Sequence, residues 1–150
     1  MMTRIGKIFL IAALCVASVP ALAVSPATVS VADCWIRALP GELPSAGYFK
    51  VTNNGDQVLN LVAVEADAFG MAMLHQTQSQ GSMSKMVMAG QVPVPAHGTL
   101  IFAPGNYHVM LEQPKKPLTI GASIPMSFAF SDGQKVIATC ALKSAATAAN

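Results

Sequence analysis

The chain is 150 residues long, with nine Lys or Arg, seven Asp or Glu and only 11% charged residues. The formal charge of +2 includes no basic run of the kind a nucleic-acid face requires, which excludes that partner class. Acidic residues are few and scattered and no Gly-x-Ser-x-Gly occurs, so neither paired-carboxylate nor nucleophilic catalysis has a visible set of parts and the chain reads as a non-enzyme.

The chain begins with an export signal. Arg4 and Lys7 give a positive start, Ile8 to Val19 a short apolar run, and Ala21-Leu22-Ala23 a small-residue cleavage site, so processing leaves Val24 as the new N-terminus. The apolar run is too short for a comfortable membrane span. A retained anchor and a lipoprotein are the competing readings, and the large Leu14 directly before Cys15 does not suit lipoprotein processing. Without Arg4 and Lys7, seven basic residues face seven acidic ones, so the domain expected over 24–150 is formally neutral, with no stable membrane insertion.

From there the pattern is β almost throughout. Alternation and β-branched content predict strands over Thr28 to Ile36, Gly47 to Thr52, Val58 to Val64, Ala72 to Thr77, Ser84 to Met88, Thr99 to Phe102, Tyr107 to Leu111, Ile124 to Phe130 and Lys135 to Leu142. Turn signals at Asn53 to Asp56, Pro93 to Gly98, Pro104-Gly105-Asn106 and Ser131-Asp132-Gly133 separate them, at the spacing of a sandwich or barrel. Asn54-Gly55 and Asp132-Gly133 are the strongest hairpin turns. Ser144 to Asn150 reads as a small-residue tail.

Two cysteines remain after the leader, Cys34 in the first strand and Cys140 in the last. An even count in an exported chain favours a disulfide stapling the two ends of the domain. A redox or metal-binding thiol pair is the alternative.

The chemistry concentrates between His75 and Met110, as H-x10-M-x21-H-x-M through His75, Met86, His108 and Met110. His108 and Met110 lie two apart in a strand and therefore point to one face together. A hairpin through Ser79 to Ser82 can return Met86 beside His75, and a second hairpin is expected to deliver His108 and Met110. Imidazole suits several transition metals, whereas the neutral, polarizable thioether selects Cu(I). Any one of these methionines alone reads as core filler. Met83 and Met88 could assist or shield such a site, while His97, in a turn, reads as an exposed loop residue.

This spacing resembles the signature of the periplasmic copper chaperone family called PCu(A)C. Trp35-Ile36-Arg37-Ala38, Gly47-Tyr48-Phe49 with Asn53, Pro104-Gly105, and Phe128-Ala129-Phe130 with Gly133 resemble it as well, so the similarity runs from about Asp33 to Leu142. The resemblance implies a cupredoxin-like β-barrel or sandwich in the periplasm. Its implied cargo is Cu(I), held by the four residues and passed to an acceptor, either the CuA centre of cytochrome c oxidase or a thiol copper chaperone. The histidine- and methionine-rich tail of some members is missing from this chain, which ends Ala-Ala-Thr-Ala-Ala-Asn. Two other classes compete: an electron-transfer cupredoxin, which needs a cysteine ligand that the stretch from His75 to Met110 lacks, and a metal-free exported β-domain.

Overall fold

The computed structural model describes residues 27–147. The leader, its cleavage site at Ala23 and the last residues of the tail lie outside them. Ten strands follow one another: β1 (Val29–Arg37), β2 (Ser45–Asn53), β3 (Leu59–Glu65), β4 (Phe69–Gln80), β5 (Met83–Met88), β6 (Val92–Val94), β7 (Gly98–Phe102), β8 (Tyr107–Pro114), β9 (Ser123–Phe130) and β10 (Lys135–Lys143). They form one sheet in the order β5-β4-β8-β2-β1-β10-β9-β3-β6, with β7 paired to β2. The all-β architecture expected from the alternation is the one observed.

Strict alternation makes β9 the clearest case of sequence dictating a strand. Ile124, Met126, Phe128 and Phe130 are buried, while the residues between them are half-buried or exposed. Pro125 is tolerated because it sits opposite Thr139 of β10, before the β3 ladder begins at Ser127. The sheet curls so that its two halves share a core. Phe49 of β2 stacks on Phe102 of β7 at 4.2 Å between ring centroids and meets Phe128 of β9 edge-on at 4.6 Å. All three rings are essentially inaccessible, so truncating any one to alanine costs about 3–5 kcal/mol.

Three expectations need correction. The stretch around Pro93 is a strand, β6, where a turn was expected. Proline fits there because β6 ends the sheet and pairs only with β3. Asn54-Gly55 is not a hairpin turn, since β2 and β3 do not pair. It is a crossover held by the buried Asn53, whose Nδ2 donates to the carbonyls of Gln57 (2.7 Å) and Val94 (3.2 Å) while Oδ1 accepts from Gly55 N at 3.0 Å. Nor do β7 and β8 form a hairpin; β8 instead lies between β4 and β2. True two-strand turns occur at Gly81 and Gly133, both with positive φ (62° and 88°), a conformation glycine adopts without a Cβ penalty.

β1 and β10 run parallel, with Trp35 opposite Ala141, so Cys34 and Cys140 fall side by side and are disulfide-bonded across 106 residues of sequence. The bond closes the ends of the domain at a bulge in β1 where Asp33 takes a φ of 53°. Lys50 pairs with the Asp33 carboxylate at 2.8 Å on the surface and holds its pKa below the ordinary value. In the chain-entropy account, closing so long a loop contributes about 4–5 kcal/mol. Thiol labelling of the native protein is expected to find no free cysteine after the leader. A Cys34→Ser, Cys140→Ser variant should unfold at a markedly lower urea concentration; an unchanged midpoint would remove the disulfide from the stability of the fold.

Candidate metal centre

Register builds the site. In the antiparallel pair of β4 with β8, His75 lies opposite His108 and Met73 opposite Met110. Leu74 and Val109, the residues between, are buried in the core, so both histidines and both methionines project from the other face. The β4–β5 hairpin turns tightly at Gly81-Ser82 and sets Met88 opposite His75 and Met86 opposite Thr77. The residue directly beside His75 across the hairpin is therefore Met88. Met86 is displaced by one row and reaches the histidines diagonally.

That reach is shown by one contact. Met86 Sδ lies 3.3 Å from His108 Nε2. On the other side of the ring, His108 Nδ1 lies 3.1 Å from the Asn106 carbonyl oxygen. A carbonyl can only accept, so in the neutral imidazole Nδ1 carries the proton and Nε2 carries a lone pair. In that tautomer two Lewis bases face each other with no proton between them. A first-row ion bound tetrahedrally, at about 2.0 Å from nitrogen and about 2.3 Å from sulfur, holds those two atoms about 3.5 Å apart. The observed 3.3 Å is close to that separation.

His75 completes the imidazole pair, its ring edge-on to His108 with 5.8 Å between centroids. Its Nδ1 is buried without a hydrogen-bond partner among the described residues, a costly state for a polar atom unless something else satisfies it. Burial first, then the charge of a protonated His108, hold the His75 pKa below its ordinary 6.5, against an opposing pull from Glu112. Both effects favour the neutral imidazole that a metal requires. His108 is 6% exposed and Met86 52%, so the site spans the boundary between sheet surface and solvent. Met110 shares the face two residues along β8, about 7 Å from His108 along the strand, and its row continues through the small Ala46 to Arg37. The Arg37 guanidinium sits 5.2 Å from the Tyr48 ring centroid and 5.8 Å from that of Trp35, forming a wall beyond Met110.

The structure therefore brings His75, Met86 and His108 together by contact and register, and sets Met110 on the same face. Cys34 lies on β1, beyond β8 and β2 from β4, so the disulfide is no part of the cluster. His97 is exposed in its turn and pairs with Asp56 at 2.8 Å. Asn106, whose carbonyl meets His108 Nδ1, shows in the sequence only as the end of the Pro104-Gly105-Asn106 turn signal, two residues before His108.

The sequence matches the family described as "Putative lipoprotein LpqE-like" over residues 29–141. The chain belongs to this LpqE-like, or PCuAC, family. Among its relatives is "Putative lipoprotein Lxx21020" of Leifsonia xyli subsp. xyli (strain CTCB07), 32% identical over 136 residues, which cover 87% of this chain and 81% of the relative. Solved PCuAC structures share the fold. The apo PCuAC domain from PmoF1 superposes with a TM-score of 0.68 at 29% identity, over 79% of this chain and 95% of that domain. The Cu(I) form of DR1885 from Deinococcus radiodurans superposes with a TM-score of 0.62 at 29% identity, over 75% of this chain and 76% of the other. The cupredoxin-like PCuAC fold is thus this chain's fold.

The lowered His75 pKa can be checked in the metal-free protein. In the NMR titration, the His75 imidazole is expected to titrate below 6.5. Because the folded value lies below the unfolded one, the unfolded chain binds more protons as pH falls through about 6.5, and the metal-free fold loses stability there. A His75 midpoint at or above 6.5 contradicts the burial argument.

Proposed function

We propose that the protein is an exported copper carrier that binds one Cu(I) through His75, Met86, His108 and Met110 and hands it to an acceptor without catalytic turnover. The observation that carries this reading is the 3.3 Å approach of His108 Nε2 to Met86 Sδ, with His108 Nδ1 turned to the Asn106 carbonyl. The unpartnered His75 Nδ1 and the face shared by Met110 support the same centre. Two thioethers and two neutral imidazoles form a soft, uncharged donor set, which prefers Cu(I) to zinc, magnesium or calcium. The Cu(I) named for the DR1885 structure agrees with that preference.

Such a site suits transfer. It has no anionic ligand, loses only protons from its histidines on metallation and, unlike a thiol pair, cannot be lost to disulfide formation in an oxidising compartment. An acceptor with thiolates can then dismantle it one ligand at a time. By resemblance to PCu(A)C proteins, that acceptor is the CuA centre of cytochrome c oxidase or a thiol copper chaperone. An electron-transfer cupredoxin is disfavoured, because its cysteine ligand has no counterpart and the two cysteines of the domain are engaged with each other.

We place the working protein in the periplasm, released after Ala23. The family's lipoprotein description favours one alternative, acylation at Cys15. Mass spectrometry of the exported chain separates them: a chain starting at Val24 supports release, and an acylated Cys15 contradicts it.

The ligand set is tested by competition. The processed protein should bind one Ag(I), a redox-silent stand-in for Cu(I), in preference to Zn(II); displacement of silver by equimolar zinc would contradict a thioether-rich site. Cu(I) affinity should fall as pH drops below about 6, where protons compete for the imidazole nitrogens. Met110→Leu nearly preserves volume and should weaken binding without changing the slope of that profile. His108→Ala should weaken binding and flatten the slope. Unchanged affinity in Met110→Leu would remove that residue from the site.

A further inference from the structure

The four-residue set leaves three methionines of this face unused, Met71 and Met73 of β4 and Met88 of β5, and of these Met88 alone stands in the row of the two histidines. Met88 lies opposite His75, in the row that runs from β5 through His75 to His108. Alternation along β5 puts Met86 and Met88 on the histidine face, whereas Met83 and Lys85 point to the other. β5 ends the sheet and pairs only with β4, so nothing flanks Met88 on its outer side among the described residues. Its exposure is 72%, against 6% for His108 at the other end of the row.

We propose that Met88, with His75, forms an outer soft-metal position through which Cu(I) enters and leaves the four-ligand centre. This rests on the reading of that centre given above. Directly opposed residues of antiparallel strands have Cβ atoms about 4.5–5.5 Å apart, and a methionine has three rotatable bonds. Rotation of the Met88 side chain therefore brings its sulfur to an ion held by His75 with no movement of the backbone. In the exchange, a Cu–S bond to Met88 forms as the Cu–S bond to Met110, the thioether farthest from β5, breaks. Copper stays Cu(I) and no proton moves. The ion is then at the solvent edge, where a thiolate of an incoming dithiol protein displaces the remaining ligands in turn. An exposed methionine has no core to fill, and on this strand its face, row and reach all converge on His75.

The experiment compares Met88→Leu with Met83→Leu in the processed protein. Met83 is also 72% exposed on β5 but faces away from the histidines. Cu(I) uptake from a weak small-thiol complex and release to bathocuproine disulfonate are followed by stopped flow, with affinity measured at equilibrium. Because a station on the path lowers the barrier in both directions, Met88→Leu should slow uptake and release alike, by about tenfold or more, and by far more than it alters affinity. Met83→Leu should behave as the unaltered protein. Unaltered rates in Met88→Leu overturn the proposal, as does equal slowing in Met83→Leu. A loss of affinity that accounts for the whole rate change also overturns it, making Met88 a resident ligand. Failure of the unaltered protein to take up Cu(I) overturns the four-ligand reading itself, an outcome distinct from these three.

Discussion

The antiparallel register of β4 with β8 is the constraint on which the site depends. One pairing, His75 opposite His108, decides at once that Leu74 and Val109 enter the core and that two imidazoles meet on the outer face. A slip of one residue in either strand would exchange the two sets, turning a histidine into the aliphatic core and an aliphatic side chain out of it. The stability of the core thereby fixes the geometry of the donors. No separate device is needed to hold the histidines in register, because every buried aliphatic residue along the two strands resists the slip.

Electrostatics and hydrogen bonding refine what register provides. The Asn106 carbonyl accepts from Nδ1 of a neutral His108, and burial lowers the His75 pKa, so both effects favour the neutral ring that the proposed cation would need. The sulfurs contribute no charge and stay near solvent. The two imidazoles lie on β4 and β8, with one thioether, Met86, on the edge strand β5 and the other, Met110, on β8. The disulfide acts elsewhere, joining the parallel β1 and β10 and leaving the donor face to the other half of the sheet.

Much of this was legible in the sequence because it is local. The parity of His108 and Met110 follows from a period of two within one strand, and nine of the ten strands are marked by alternation or apolar runs bounded by Gly, Asn or Pro. What was not legible depends on which strands become neighbours. Pro93 and the shortness of Val92–Val94 concealed β6, which is a strand only because β3 supplies a partner. Asn54-Gly55 has the residues of a hairpin turn, yet the chain crosses there because Asn53 is drawn into the core and bonds to Val94 of a distant strand. The nearness of His75 to His108 is likewise non-local, and a hairpin joining Thr99 to Phe102 with the histidine strand was the simpler expectation. The register of the β4–β5 hairpin, which sets Met88 rather than Met86 beside His75, turned on a two-residue turn narrower than the Ser79 to Ser82 signal.

The central claim, a single ion bound by two imidazoles and two thioethers, is tested most directly by X-ray absorption spectroscopy of the processed protein loaded with one equivalent of Cu(I) under conditions that preserve the disulfide. The account predicts a Cu(I) edge and a first shell containing two nitrogen and two sulfur neighbours. A shell of nitrogen and oxygen alone would contradict it.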